Sequence, residues 1–263
     1  MNRGKLLFLQ AMVMVVFLLF WHVATAYPIL GDIKTIQFFF STPAAVLART
    51  WNQLTGTEIY WHIGITLTET VLAFVIGSLA GIFFGFTFAR RELLAAVFDP
   101  YIKAANALPR VVLAPIFALW FGLGIWSKVA LGFTLVFFIV FFNVYQGVRE
   151  VSPTVLANAR MLGMNERQLF KHVYWPAALT WMFSSLHTSV GFALIGAVVG
   201  EYLGSSAGLG YKIQEAESVF DVTGVFSGMM ILTIFVIMID WVVTLVERRL
   251  PVWKPGQSAT TTT

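Results

Sequence analysis

Six stretches of this chain are apolar for about the twenty residues a helix needs to cross the hydrocarbon core of a bilayer. They cover residues 6–26, 66–89, 100–123, 126–146, 179–199 and 224–246. Lipid offers the backbone no hydrogen-bond partners, so segments of this kind must satisfy their own N–H and C=O groups as helices. The expected fold class is an all-α membrane protein with six transmembrane helices in a single domain. Only 11% of the 263 residues are charged, less than half the roughly 25% of a soluble domain.

Composition also removes several kinds of chemistry. There are no cysteines, which excludes disulfides, thiolate metal sites and thiol catalysis. Four scattered histidines do not suggest a metal site. The net charge of +4 does not point to nucleic acid, because the basic residues cluster where apolar segments end. That placement is the signature of orientation in a membrane. With both termini cytoplasmic, the inner segments hold Arg3, Lys5, Arg90, Arg91, Arg149, Arg160, Arg167, Lys171, Arg248, Arg249 and Lys254. The outer segments hold only Lys34, Arg49, Lys128 and Lys212, and the opposite orientation would invert the bias.

The first apolar run has a rival reading. Ala24-Thr25-Ala26 resembles a signal-peptide cleavage site. The run is long for that role and carries bulky Phe20 and Trp21, so a retained span is expected. Residues 28–64 read as an outer loop with short interfacial helices, and 92–99 as an amphipathic piece on the inner surface. Pro109 and Pro115 interrupt the third span. Residues 200–223 read as an acidic outer loop, and the Thr-rich tail over 255–263 as disordered.

The cytoplasmic segment 147–178 is the least lipid-like part of the second half. Within it, Ser152–Pro176 carries helix start and stop signals at close spacing. Ser152 can cap one helix, with Pro153 at its first position, where a missing N–H costs nothing. Gly163 can end that helix in a left-handed conformation. Asn165 and Gln168 have capping-box spacing for a second helix, and Pro176 should break it before the next apolar run. A basic, capped pair of helices between two spans suits the docking of a cytoplasmic partner.

Glycines indicate how the spans pack. Gly77, Gly81 and Gly85 recur every four residues and mark a close-packing face on the second span, as small residues do in lipid. Gly191, Gly196, Gly200 and Gly204 suggest the same for the fifth, with Gly196 and Gly200 also candidate pathway residues.

No G-x-x-x-x-G-K-[ST] is present, so the chain has no phosphate-cradling loop of its own. Gly204–Gly210 is a turn on the outer side, and no nucleophile–base pair occurs at plausible spacing. Ionisable groups inside spans are functional candidates by default. His187 sits in a polar stripe with Ser184, Ser185, Thr188 and Ser189, which could line a pathway or bond helices together. Asp240 suits pairing with a neighbouring helix or an inner-leaflet arginine. Glu69 and Glu201 fall near outer ends, within reach of water.

The cytoplasmic segment resembles the permease motif of binding-protein-dependent ABC importers, E-A-A-x3-G-x9-I-x-L-P. Here it reads Ala157-Asn158-Ala159, Gly163 after three residues, and Val173-Tyr174-Trp175-Pro176 after nine. Ala157 replaces the motif glutamate and Asn158 an alanine. Two further blocks resemble the nitrate/sulfonate/taurine-type branch: Leu108–Pro115 continuing through Trp120–Gly124, and Gly200–Gly204 with Gly208–Tyr211. The second, with Phe220-Asp221, is also similar to members that import pyrimidine thiamine precursors or riboflavin. The resemblance covers about residues 60–250.

It implies the type I ABC importer permease fold in a bacterial inner membrane, a second copy of the chain, two cytoplasmic ATPase subunits and an external substrate-binding protein. ATP and Mg would bind the ATPases and no cofactor this chain. The docking loop would comprise Ala157, Asn158, Ala159, Arg160, Gly163, Asn165, Arg167 and Pro176. Ser184, His187, Thr188, Gly196, Gly200 and Glu201 are the pathway candidates. Two readings of other classes stand beside it. A self-contained secondary carrier would need inverted repeats and coupling-ion ligands, and no repeat is visible. A membrane scaffold docking some other cytoplasmic partner would not need the polar stripe around His187.

Overall fold

The computed structural model describes residues 3–27 and 31–249; Lys254 and the tail 255–263 lie outside these. Twelve α-helices account for most of the described chain. The first is α1 (Arg3–Ala26), followed by α2 (Ile33–Phe40), α3 (Pro43–Thr55) and α4 (Glu58–Arg90). Next come α5 (Glu92–Ala107), α6 (Leu113–Phe121) and α7 (Ile125–Arg149). Then follow α8 (Pro153–Met161), α9 (Glu166–Leu169), α10 (Trp175–Leu203), α11 (Leu209–Ser218) and α12 (Val222–Arg249). Five of them, α1, α4, α7, α10 and α12, are long and apolar enough to cross a membrane.

The third expected span is not one straight helix. α5 runs unbroken from Glu92 through Pro100 to Ala107, so 92–99 is not a separate piece. The chain then bends by 80° into the segment 110–121, and the two limbs together have the length and composition of a sixth crossing. Pro109 explains the break: it biases Leu108 away from helical geometry, and Leu108 is extended at φ −63°, ψ 131°. The Arg110 guanidinium closes the corner by donating to the Leu108 carbonyl and the Asn106 side chain, each at 2.7 Å. It also lies 5.0 Å from the centre of the Phe138 ring on α7. Pro115 leaves α6 intact because it falls in the first turn, where its missing N–H has no intrahelical role.

The core is the bundle of α4, α7 and α10. Buried Ala73 and Phe86 on α4, Val136, Val140 and Val144 on α7, and Ala178 and Ala193 on α10 belong to one cluster. Gly81 shows how close the helices come: a Cβ there would lie 2.8 Å from the Val140 Cβ and 3.0 Å from backbone of Phe137 and Phe141. Gly77 and Gly85 meet Val136 and Val144 in the same way. α7 and α10 cross glycine on glycine, since a Cβ on Gly196 would reach within 2.4 Å of the Gly132 Cα. Gly191 corrects the sequence reading, because nothing lies within 4 Å of the position its Cβ would take. A second cluster joins Ile59, Leu194, Leu209, Ile231 and Phe235 across α4, α10, α11 and α12. By contrast, Thr25 is the one buried residue of α1 among those described.

The expected loops are more regular than the sequence suggests. Residues 200–223 contain α11, and 28–64 contain α2, α3 and the first turns of α4. In the cytoplasmic segment the second short helix is not separate. α9 passes through a π-helical stretch, Phe170–Tyr174, directly into α10. Pro176 therefore does not end a helix. The Trp175 N–H bonds five residues back to Phe170 O, and this widened turn absorbs the ring clash and missing donor that a proline brings.

Candidate functional site

The cytoplasmic docking candidate is built mainly by local backbone chemistry. Gly163 has φ +79°, the left-handed conformation that glycine adopts without a Cβ penalty. The Gly163 N–H donates to Arg160 O at 2.9 Å and the Met164 N–H to Ala159 O at 3.1 Å. That pair of bonds is the Schellman closure of α8. Two residues on, the Asn165 side chain accepts from the Gln168 N–H at 2.9 Å, and the Gln168 side chain accepts from the Asn165 N–H at 2.8 Å. The capping box is complete. Ser152 departs from expectation: its side chain makes no capping bond, and its carbonyl accepts from the Leu156 N–H at 3.2 Å.

Most of the expected docking residues face outward. Ala157, Asn158, Arg160, Asn165 and Arg167 are exposed, whereas Ala159 is buried and anchors α8 to the protein. Two apolar side chains at the end of α8 are unusually bare, Met161 at 79% and Leu162 at 80% exposure. The segment is held at both ends. The Arg90 guanidinium, at the end of α4, meets the Glu166 carboxylate at 2.6 Å and lies over the Phe170 and Tyr174 rings. The Trp181 indole N–H, on α10, donates to the Glu150 carboxylate at 3.0 Å. The ring of Trp181 packs against Gly147, where a Cβ would come within 2.9 Å.

At the opposite ends of the same helices lies a buried polar cluster. Gly208, Leu209 and Gly210 open α11 with three consecutive N–H groups that have no partner within their own helix. Each is taken by a side chain from elsewhere. Gly208 donates to His62 Nδ1 at 3.0 Å, Leu209 to the Thr66 hydroxyl at 2.9 Å, and Gly210 to Glu201 Oε2 at 2.7 Å. The Thr66 hydroxyl in turn donates to Glu201 Oε1 at 2.6 Å. A carboxylate facing the first turn of a helix is favoured by the helix dipole. His62 accepts at Nδ1, so its hydrogen is on Nε2, facing Glu58 at 3.6 Å.

Glu69 and Glu201 are 1% and 0% exposed, which overturns the expectation that water reaches them. Glu69 lies beside Glu201 with Lys128 near both, and its Oε2 is buried without a hydrogen-bond partner among the described residues. Lys128 itself is buried and donates to the carbonyls of Leu123 and Gly124 at 2.6 and 3.2 Å. The cluster thus ties α4, α10, α11 and the α6–α7 connection into one unit. The packing of the helices explains the burial. Gly200 lies so close to α7 that its Cβ would sit 3.0 Å from Lys128 Cγ, leaving no room for solvent.

The pathway candidates therefore separate. Gly196 and Gly200 are packing contacts with α7, and Glu201 is sealed in the cluster, so none of these three lines open space. Ser184 and Thr188 are exposed on α10. His187 Nε2 lies 3.8 Å from Asp240 on α12, joining the two helices. Ser185 and Ser189 are buried on the other side of α10 and bond back to their own helix at Met182 O and Ser185 O. His62, Thr66 and Lys128 are missing from the sequence-derived set. Their one sequence signal is that polar groups at 62, 66 and 69 recur at helical spacing.

Residues 77–252 match the family described as binding-protein-dependent transport system inner membrane component. The formylaminopyrimidine transport permease protein ThiX of Halalkalibacterium halodurans is 31% identical over 84% of this chain and 88% of its own. The putative aliphatic sulfonates transport permease protein SsuC of Bacillus subtilis is 30% identical over 81% and 77%. The inward-facing MetNI methionine ABC transporter shares the fold, with a TM-score of 0.57 over 73% of this chain and 93% of that one, at 16% identity. With its bundle of membrane-crossing helices, this chain belongs to the inner-membrane permease family of binding-protein-dependent ABC importers.

Proposed function

We propose that this permease is driven through the 152–176 segment by a separate cytoplasmic ATPase and receives a small solute from an external binding protein. Two copies of the chain would form the pathway and two ATPase subunits would power it, with ATP and Mg bound on those subunits. Closure of the ATPases brings the paired α8 segments together, and the helices joined to them carry the motion outward. The observation that carries this reading is the construction of the segment. α8 is capped at its end by Gly163, presents exposed Met161 and Leu162, and is braced to α4 and α10 by Arg90–Glu166 and Glu150–Trp181. A braced helix transmits displacement, which a solvated tether would absorb.

Ala157, Asn158, Arg160 and Arg167 are the docking residues of this reading. In the absence of the motif glutamate, the bare apolar pair at 161 and 162 supplies area that a partner can desolvate. Ser184, His187 and Thr188 on the accessible side of α10 are the pathway-facing groups. The names of ThiX and SsuC favour a small heteroaromatic or anionic solute, with selectivity resting largely on the binding protein. Purification from native membranes in mild detergent, with the mass of the complex, tests the assembly. Two copies of this chain with two ATPase subunits are expected; a lone chain or an unrelated partner would overturn the reading.

A further inference from the structure

A cavity of about 630 Å³ opens at the cytoplasmic end of α4. Its wall along α4 is mostly apolar, with Leu79, Ile82, Phe83 and Phe86 beside Thr87, and its rim carries Arg90, Arg91 and Arg160 with one carboxylate, Glu166. Leu79 to Arg90 spans about 16 Å along the helix. That is the depth from an inner-leaflet headgroup into the acyl region. Leu79 and Phe83 are largely exposed within the chain and lie on a helix long and apolar enough to cross a membrane, where an acyl chain can reach them. The three arginines differ in state. Arg90 is engaged by Glu166, whereas the guanidinium groups of the exposed Arg91 and Arg160 make no hydrogen bond or ion pair among the described residues.

We infer that this cavity is a binding site for an anionic phospholipid of the inner leaflet. Its phosphate is held by Arg91 and Arg160 and one acyl chain lies along Leu79, Ile82 and Phe83. A cationic rim above an apolar groove complements a molecule that is anionic at one end and apolar along its length. A free solute anion matches only the rim, and the excess positive charge there favours a headgroup of net negative charge over one whose phosphate is offset by its own ammonium. The site lies where α4 meets the Arg90–Glu166 brace, so an occupied cavity stiffens the joint between the span and the docking segment. The assignment depends on which end of α4 faces the cytoplasm and does not require the coupling reading.

The test is native mass spectrometry of the full chain in detergent, titrated with phosphatidylglycerol, phosphatidylcholine or inorganic phosphate, alone and in its purified complex. One phosphatidylglycerol per chain is expected, in preference to phosphatidylcholine. Each arginine near a phosphate is worth roughly fivefold in affinity, so R91Q/R160Q should bind about 30-fold more weakly. The conservative R91K/R160K should recover most of the loss. Should the double variant fail to insert, R91Q alone, outside the docking set, carries the test with roughly a fivefold loss. Equal binding of both lipids, unchanged binding by the variants, or full displacement by inorganic phosphate would overturn the site. So would loss of the lipid when the ATPase is bound, which would assign the cavity to the protein partner.

Discussion

The Arg90 guanidinium and the Glu166 carboxylate meet at 2.6 Å across 76 residues of sequence, joining the cytoplasmic end of α4 to the first turn of α9. Glu166 sits just after the Asn165 cap, where a carboxylate is also favoured by the helix dipole. Both side chains remain partly exposed, so the pair adds at most about 1 kcal/mol to stability. Its importance lies in position. It is a direct polar link between the segment proposed to dock the ATPase and the core helix that packs on α7.

Reversing one charge should therefore alter transmission more than folding. Arg90→Glu is expected to leave the melting temperature within a few degrees of wild type and to lower solute uptake per ATP hydrolysed. Combining it with Glu166→Arg should restore much of the ratio. A double variant no better than the single would show that the brace does not act through this pair.

Gly163→Val places a β-branched residue at φ +79°, at a local cost of about 1–3 kcal/mol. The closure of α8 should loosen while the spans, which do not include it, still insert. The expected phenotype is ATP hydrolysis without uptake. Normal coupled uptake would remove the coupling role from this segment.

At the outer cluster, Glu201→Ala leaves the Gly210 N–H and the Thr66 hydroxyl without their partner and Lys128 without one of its counter-charges. Breaking a buried charged network of this kind costs about 3–5 kcal/mol, which corresponds to roughly 6–20 °C in melting temperature for a chain of this size. Gly208→Ala should behave similarly, since a Cβ there would lie 2.1 Å from the Glu201 carboxylate carbon. Thermal unfolding in detergent measures both, and wild-type melting of either variant would contradict the described geometry.

Two glycines that look alike in sequence should respond oppositely to the same change. Gly81→Ala forces a methyl against α7 and is expected to destabilise by about 1–3 kcal/mol. Gly191→Ala meets open space and should be neutral, or stabilising by up to about 1 kcal/mol through helix propensity. Equal losses at both positions would mean that α10 carries a close neighbour at Gly191.

The parts legible in the sequence are those governed by neighbours a few residues away. Gly163 and the Asn165–Gln168 box were readable because a cap is decided within one turn, and five of the spans by their continuous apolar length. The Pro109 break was visible as an interruption, but its 80° angle depends on the Arg110 contacts and on α7. Pro176 was misread because a proline can be accommodated by a widened turn as well as by a helix end, and local pattern does not choose between them. The outer cluster was hidden for a different reason. Thr66 and Glu201 are 135 residues apart, and only helix packing shows that the two acids are sealed from water rather than facing it.

The proposed function requires α8 to touch the ATPase, and the absence of cysteines from the sequence allows a clean test. Asn158→Cys carries a single thiol on the exposed side of α8, and Ser205→Cys places one at the opposite end of the molecule as a control. With a short thiol–amine cross-linker in native membranes, Asn158→Cys is predicted to give a product of this chain plus the ATPase subunit, changed in yield by ATP, and Ser205→Cys none. Asn158→Cys membranes that yield no ATPase product, while the ATPase still co-purifies, would show that α8 is not the contact.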